Sequence, residues 1–258
     1  MRKACLWMSA VVSVAMLSCY TVPETGRHSL NLLSTGQEAS LGTQAFQDAK
    51  TKGKISHDPA LNERIRRVGE RIARVANIPN AKWEFVVFEN DEPNAFALPG
   101  GKVGVNTGII PIAMTDAGLA TVMSHEIGHV AARHGGERIS EQMVIAGIAT
   151  GAALTLNDAK PETRTMILTG LGVGTTVGVV LPHSRSQEAE ADRIGLVFMA
   201  KAGYDPDEAI RFWERMRDYA KGKSKPPEFL STHPADETRI ENLKQYLPEA
   251  REYYQKSN

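Results

Sequence analysis

The chain has 258 residues, a length that suits one domain with short appendages. Its 30 basic and 30 acidic residues are interspersed and give a formal net charge of zero, which argues against a nucleic-acid surface, so we expect no nucleic-acid partner. Hydrophobic residues make up 42% of the chain, enough for a folded core, which excludes a disordered protein.

The N-terminus has the pattern of a secretory signal. A basic start precedes an uncharged apolar run over residues 4–17, which is short for a membrane span. The run ends in Ser18 and Cys19, and this resembles a bacterial lipoprotein signal whose cysteine is lipidated; a plain cleaved signal is the alternative. Tyr20 follows the cysteine, which by the same resemblance favours the outer membrane. We therefore predict a signal over residues 1–19 and a lipid anchor that holds the mature chain to the outer membrane in the periplasm.

A polar tether and two helices are predicted next. Residues 20–34 are polar and are predicted to form the tether. The first helix is expected over residues 35–53, with Ser34 as its N-cap. The second is expected over residues 59–77, after Asp58 and with proline at its first position.

A small sheet is predicted before the centre of the chain. Residues 83–88 are β-branched and aromatic, which is typical of a strand. Segments 94–98 and 102–106 flank the Pro-Gly-Gly sequence at 99–101, a strong signal for a hairpin. A short helix is expected over residues 107–113.

His125, Glu126 and His129 form an H-E-x-x-H motif within a helix predicted over residues 115–136. Residues four apart on a helix lie about 40° apart around its axis, so both imidazoles can point one nitrogen at a common metal ion. Glu126 is turned about 100° from His125, so it borders that ion and can activate a bound water without being a ligand. The alternative is an ordinary helix with two surface histidines. His134 is predicted to be structural and to point away from the metal side.

Two uncharged stretches follow, over residues 142–157 and 165–182. They are rich in Gly, Ala, Thr and Val. We predict two buried or surface-packed helices there, and a membrane hairpin is the alternative.

A metal site of this kind needs a third protein ligand. The best remaining candidate is Glu188, within a helix predicted over residues 184–202. Asp192 lies four residues later on the same face and can accept the other ring N–H of a ligand histidine, which fixes the tautomer of that histidine. Glu190 points to the opposite side and is predicted to be a surface charge. An ordinary acidic helix is the alternative for this segment taken alone.

The C-terminal part is predicted to be helical as well. One helix is expected after a cap at residues 205–207 and another over residues 237–247. Residues 251–258 are predicted to form a charged tail. The chain from 35 to 250 is therefore expected to be a single domain.

The H-E-x-x-H motif, followed by Ser-Arg-x-x-Glu-x-x-Ala-Asp, resembles the family-48 metallopeptidases, which include the HtpX, CAAX prenyl endopeptidase and Oma-like types. Within that family the chain is most similar to exported bacterial members of the BepA and LoiP type, over residues 94–239. The resemblance implies an α+β, mainly helical zincin fold of the gluzincin type, with a small sheet or hairpin packed on the active-site helices. It also implies one Zn²⁺ per chain, bound by His125, His129 and Glu188, with Glu126 as general base and acid.

A further match to that family is the sequence Phe-Leu-Ser-Thr-His-Pro at residues 229–234. The resemblance implies that His233 approaches the zinc as a fourth, inhibitory ligand that moves aside for substrate. It also implies that Arg239 stabilises the oxyanion of the reaction intermediate. From the residues alone, His233 would be a loop histidine before a helix.

The hairpin acquires a role through the same resemblance, because zinc proteases of this kind hold an extended substrate as an added strand at a sheet edge. A purely structural hairpin is the other interpretation, and the two are compatible. The predicted substrate edge consists of Asn94, Ala95, Phe96 and Ala97.

These features together predict a zinc-dependent endopeptidase of the bacterial envelope. Its expected substrates are unfolded or misassembled envelope and outer-membrane polypeptides, and its expected partners include the outer-membrane assembly machinery. One alternative is a non-proteolytic, zinc-stabilised chaperone or scaffold for outer-membrane assembly. The other is an integral membrane protease.

Overall fold

The computed structural model describes residues 19–145, 156, 159–172, 184–223, 226–234 and 237–257. The strands are β1 (Cys19–Thr21), β2 (His28–Leu30), β3 (Glu84–Phe88), β4 (Ala95–Leu98) and β5 (Lys102–Asn106). The helices are α1 (Thr35–Lys52), α2 (Pro59–Ala76), α3 (Ile110–Ala113), α4 (Asp116–Ala131), α5 (His134–Ile145), α6 (Pro161–Gly170), α7 (Arg185–Lys201), α8 (Glu208–Ala220), α9 (Glu228–Thr232) and α10 (Glu237–Ser257), with a 3₁₀ turn at Thr107–Ile109. The protein is mainly helical with small sheets, which confirms the predicted α+β class.

The larger sheet has the strand order β3-β5-β4 in the described part of the chain. β3 runs parallel to β5, and β4 runs antiparallel to it. Gly100 and Gly101 join β4 to β5 with φ angles of 87° and 82°, a conformation that favours glycine. The predicted hairpin is therefore present, and β4 is an edge strand beside helix α4.

Helix α4 carries the H-E-x-x-H motif and lies at the centre of the domain. The side chain of Thr115 caps it by accepting a hydrogen bond from the Gly118 amide, and Asp116 adds negative charge to the first turn. All residues from 118 to 129 are buried. A helix that is buried nearly all round needs neighbours on every side, and α4 packs against α2, α7, α8 and β4.

Helices α4 and α7 pack closely because two glycines face the partner backbone. A Cβ atom on Gly195 would lie 3.0 Å from the backbone of His125, and one on Gly128 would lie 2.9 Å from the carbonyl oxygen of Ala191. Both positions leave no room for a side chain. This contact places the acidic face of α7 directly beside the motif histidines.

The N-terminal segment, residues 20–34, is folded onto the domain, so the predicted tether is wrong for these residues. Strands β1 and β2 pair antiparallel within it. Val22 and Leu33 are buried in the core, and the backbone amide of Leu32 donates to the hydroxyl of Ser140 at 2.8 Å. The average composition of the segment is polar, but these few apolar residues are enough to fix it to the domain.

The motif helix ends earlier than predicted, and a new helix begins at once. Arg133 has a φ angle of 58°, in the left-handed region, which breaks the helix between α4 and α5. Its guanidinium group donates to the carboxylate of Glu38 at 3.0 and 2.9 Å and to the carbonyl oxygen of Leu33 at 2.6 Å. These contacts offset the cost of the unusual backbone conformation and change the direction of the chain just before His134.

Helix α10 continues well beyond the predicted end. Residues 251–257, expected as a charged tail, are helical. Ala250 is fully buried, and Tyr253 and Tyr254 pack against the core. The charged residues of this segment occupy the outer face of an amphipathic helix, which explains why the composition alone suggested a tail.

Several predictions concern residues outside the described ranges. The predicted signal lies outside them except for Cys19, as do most of the apolar stretches at 142–157 and 165–182. Of the described parts, residues 142–145 belong to helix α5 and residues 165–170 to helix α6, while Leu156 and residues 171–172 lie outside helices. Among the described helices, none has both the length and the apolarity that crossing a bilayer requires.

Candidate metal centre

Three predicted ligands lie together where α4 meets α7. Nε2 of His125 is 3.1 Å from Nε2 of His129 and 3.5 Å from Oε2 of Glu188. Nε2 of His129 is 3.3 Å from Oε1 of Glu188. All three side chains are buried, so they form a dense polar cluster inside an apolar core.

His233 joins this cluster from the loop after α9. Its Nδ1 lies 3.0 Å from Oε1 of Glu188 and 3.3 Å from Nε2 of His125. One donor atom from each of the four residues lies within 4.8 Å of the others. Tetrahedral zinc with ligand bonds of about 2.1 Å requires donor atoms about 3.4 Å apart, and the observed separations of 3.0 to 3.5 Å are close to that spacing. Imidazole nitrogens with one carboxylate are also a donor set that zinc accepts, so these residues fit a zinc ion.

Asp192 occupies the position predicted for it, next to the ring of a ligand histidine. Its Oδ1 lies 2.9 Å from Nδ1 of His125. A carboxylate can only accept, so this contact places the proton of a neutral His125 ring on Nδ1 and leaves the Nε2 lone pair pointing into the cluster.

Glu126 and Glu188 are both buried, but their surroundings shift their pKa values in opposite directions. Burial raises the pKa of Glu126, and its Oε1 accepts no hydrogen bond from any described residue. Burial would also raise the pKa of Glu188, but the charges of His233 and Arg239 and hydrogen bonds from the motif histidines lower it well below its usual range. A carboxylate that stays ionised suits a metal ligand, and one that readily takes a proton suits acid–base catalysis.

His233 also contacts the predicted general base. Its Nε2 lies 3.4 Å from Oε1 of Glu126, while its Nδ1 points into the ligand cluster. The ring packs on Phe229, with 4.7 Å between the ring centroids. In this arrangement one imidazole covers both the fourth ligand position and Oε1 of Glu126.

Arg239 contacts two of the predicted ligands, and its Nη2 lies 3.1 Å from Nε2 of His125. Its Nη1 donates to Glu188 at 2.8 Å, and its Nη2 donates to Asp192 at 2.7 Å. The guanidinium carbon is 3.4 Å from the centroid of the Trp213 ring. Arg239 lines a separate opening from the one that Glu126 lines. This geometry suits a residue that orients the two carboxylates of α7, and the oxyanion role of Arg239 stays a prediction.

Two residues that the sequence predicted to be remote from the metal are connected to it. Nδ1 of His134 lies 2.8 Å from Nδ1 of His129, and Nε2 of His134 lies 2.9 Å from Oε2 of Glu190. In one continuous helix, a residue five positions later is turned about 140° away, which is why His134 was predicted to point elsewhere. The break at Arg133 changes the direction of the chain and places the His134 ring next to the His129 ring. The only local signal for this break was the Gly-Gly pair at residues 135–136.

Glu190 is buried beneath the N-terminal segment, so its prediction as a surface charge is wrong. It accepts hydrogen bonds from the hydroxyl of Thr25 and from Nε of Arg27, the latter at 2.6 Å. Burial raises the pKa of Glu190, but the hydrogen bonds from His134, Thr25 and Arg27 outweigh it and lower the pKa to about 2. Arg27 was not predicted to contribute to the site, because its role depends on a segment that was expected to be a tether.

A cleft leads from the surface to the metal centre. It is lined by residues 94–97 at the sheet edge, by Glu126 and His129 of α4, and by His233. The predicted substrate edge therefore borders the same space as the predicted general base. An extended peptide paired with β4 would pass in front of Glu126.

The model of peptidase family M48 matches residues 59–247 of the chain. The chain is similar to the mitochondrial metalloendopeptidase OMA1 of Schizosaccharomyces pombe, with 36% identity over 233 residues, which are 89% of this chain and 66% of that protein. It is 34% identical over 226 residues to the beta-barrel assembly-enhancing protease of Escherichia coli, covering 86% of this chain and 46% of that protein. It is 39% identical to OMA1 of Saccharomyces cerevisiae over 183 residues, which are 69% of this chain and 50% of that protein. The chain thus spans between 46% and 66% of the length of these relatives.

Proposed function

The chain belongs to peptidase family M48, and from this premise we propose that it is a zinc-dependent endopeptidase of the bacterial cell envelope. One observation carries the proposal: His125, His129 and Glu188 converge on one point, with the carboxylate of Glu126 beside them. We assign the three converging residues as ligands of one Zn²⁺ per chain and Glu126 as the general base and acid.

The proposed reaction is hydrolysis of a peptide bond. Bound zinc would polarise the scissile carbonyl group and lower the pKa of a water molecule. Glu126 accepts the proton of that water on its carboxylate and donates it to the nitrogen of the leaving amine. Burial raises the pKa of Glu126, which supports this role, because a carboxyl group with a higher pKa accepts a proton more readily.

The proposed substrates are polypeptides in extended form. Strand β4 offers backbone groups along residues 94–97, and pairing with a backbone depends little on the substrate's side chains. A folded protein keeps its backbone groups paired within its own structure, whereas an unfolded or misassembled one exposes them. This supports a role in the quality control of envelope and outer-membrane proteins.

The proposed location is the periplasmic side of the outer membrane. The pattern of residues 1–19 supports export, and Cys19 is the proposed site of lipid attachment. A relative from Escherichia coli is named for its effect on β-barrel assembly. That name supports a proposed partnership of this chain with the outer-membrane assembly machinery.

Removal of the metal is expected to stop cleavage reversibly. Purified protein is incubated with an unfolded model polypeptide, before and after treatment with a zinc chelator, and fragments are followed by mass spectrometry. We expect cleavage to stop after chelation and to return when Zn²⁺ is added in slight excess, because the ligands hold the ion but do not replace its chemistry. Cleavage that continues in a chain shown to be free of metal would overturn the proposal.

His233 is proposed to inhibit the resting site. His233→Ala is expected to raise the rate of cleavage of a short unstructured peptide several-fold while zinc remains bound, since it uncovers both the fourth ligand position and Glu126. His57→Ala, in an exposed loop, serves as the matched control. Peptide cleavage and zinc content are measured on the same samples. A fall in rate with full zinc content would mean that His233 assists the reaction.

A further inference from the structure

We propose that His134 and Glu190 form a positioning relay that fixes the tautomer of His129. Arg27 and Thr25, from the N-terminal segment, hold the outer end of this relay. The inference rests on the proposed metal site and extends it to residues that lie outside the motif helix.

The hydrogen bonds allow one arrangement of protons that is compatible with ligation. The carboxylate of Glu190 only accepts, so Nε2 of His134, at 2.9 Å, carries a proton and donates it. If Nδ1 of His134 carried a proton too, Nδ1 of His129 would have to accept, and the proton of His129 would sit on Nε2, where the metal belongs. A neutral His134 instead accepts from Nδ1–H of His129 and leaves the Nε2 lone pair of His129 free for the ion.

The two motif histidines are therefore oriented in different ways. His125 donates directly to the carboxylate of Asp192, on the same helix as the third ligand. His129 reaches its carboxylate, Glu190, only through an interposed imidazole. Since a ring held by one fixed hydrogen bond keeps both its tautomer and its direction, both histidines present Nε2 to the cluster.

The outer end of the relay is held by an arginine that bridges two helices. Nε of Arg27 donates to Glu190 of α7 at 2.6 Å. Its Nη1 and Nη2 donate to Glu137 of α5 at 2.7 and 2.8 Å. Such a forked contact fixes the guanidinium group, and with it the carboxylate that the relay ends on. The N-terminal segment thus contributes to the metal site without contacting it.

The test measures Zn²⁺ affinity of the full chain by competition with a chromophoric chelator. His134→Phe keeps a planar ring but removes both nitrogens, and we expect Zn²⁺ to bind about 10- to 100-fold more weakly, the range found when the partner of a ligand histidine is lost. His134→Gln retains an acceptor and a donor and is expected to bind more tightly than His134→Phe. Glu190→Gln removes the charge and is expected to weaken binding about 10-fold.

Glu208→Gln is the matched control. Glu208 is also buried and also bound by arginine, but its partners are Arg211 and Arg215 of its own helix, and it has no place in the relay. We expect it to keep the affinity of the unsubstituted chain, even if thermal unfolding of the metal-free protein shows a loss of stability similar to that of Glu190→Gln. A loss of Zn²⁺ affinity in Glu190→Gln alone, with a similar loss of stability in both variants, distinguishes a relay from a general effect on the fold.

Several outcomes would overturn the relay. Equal Zn²⁺ affinity of His134→Phe, His134→Gln and the unsubstituted chain would do so, and so would equal weakening by Glu190→Gln and Glu208→Gln. If His134→Phe does not fold, the comparison of the two glutamine substitutions at 190 and 208 decides the question. An unsubstituted chain that binds no Zn²⁺ would instead overturn the metal site itself, on which the inference rests.

Discussion

Glu126→Gln is expected to abolish peptide hydrolysis while leaving Zn²⁺ bound. The amide of glutamine cannot accept the proton of the attacking water, and loss of a general base lowers rates by about 10²- to 10⁴-fold. Glu126 is not among the converging ligand atoms, so the metal is expected to stay. Fragment release from an unfolded polypeptide and zinc content are measured together on the purified variant.

The matched control for this variant is Glu63→Gln, the same change on the exposed face of α2, where the carboxylate pairs with Arg66. It is expected to cleave at the rate of the unsubstituted chain. Cleavage by Glu126→Gln at that same rate would refute its role as general base. If Glu126→Gln restored the normal phenotype to a strain that lacks the gene, that result would support the non-proteolytic chaperone or scaffold instead. Polypeptides trapped by the inactive variant in the envelope would identify the substrates.

Glu188→Gln is expected to lose most of its zinc. The substitution replaces an anionic ligand by a neutral amide and leaves Arg239, which donates to Glu188 at 2.8 Å, beside the ligand histidines without that counter-charge. Loss of a ligand is expected to weaken binding by more than the roughly 10- to 100-fold caused by loss of a ligand's hydrogen-bond partner. Metal content after dialysis against dilute chelator is measured by elemental analysis.

Glu208→Gln controls for the loss of a buried, ion-paired carboxylate. Glu208 is as buried as Glu188 and pairs with Arg211 and Arg215 at 2.6 and 2.7 Å, but it belongs to α8, outside the ligand cluster. It is expected to retain zinc. Full zinc content in Glu188→Gln would reject Glu188 as the third ligand, and loss of zinc in His233→Ala would then assign that position to His233.

The features that could be predicted from the sequence depend on periodicity within one helix. His125 and His129 share a face of α4, and Glu188 and Asp192 share a face of α7, because residues four apart always do so. The sheet hairpin was predictable for a similar reason, since its turn signal is local. Each of these arrangements holds however the rest of the chain folds.

The features that could not be predicted depend on contacts between distant segments. His134 approaches His129 only because Arg133 adopts a left-handed conformation that Glu38 stabilises from 95 residues away. Glu190 is covered only because the N-terminal segment folds back over α7. Arg239 reaches Glu188 and Asp192 only because α10 packs on α7. No pattern within a single element encodes these positions.

The strand that begins at Cys19 has a mechanical consequence. Cys19, the residue proposed to carry the lipid, pairs with Leu30 and so belongs to the folded part of the chain. A lipid attached there would not be joined to the domain through a long flexible linker. It would keep the domain close to the membrane surface, and encounters would depend on lateral diffusion of polypeptides along that surface.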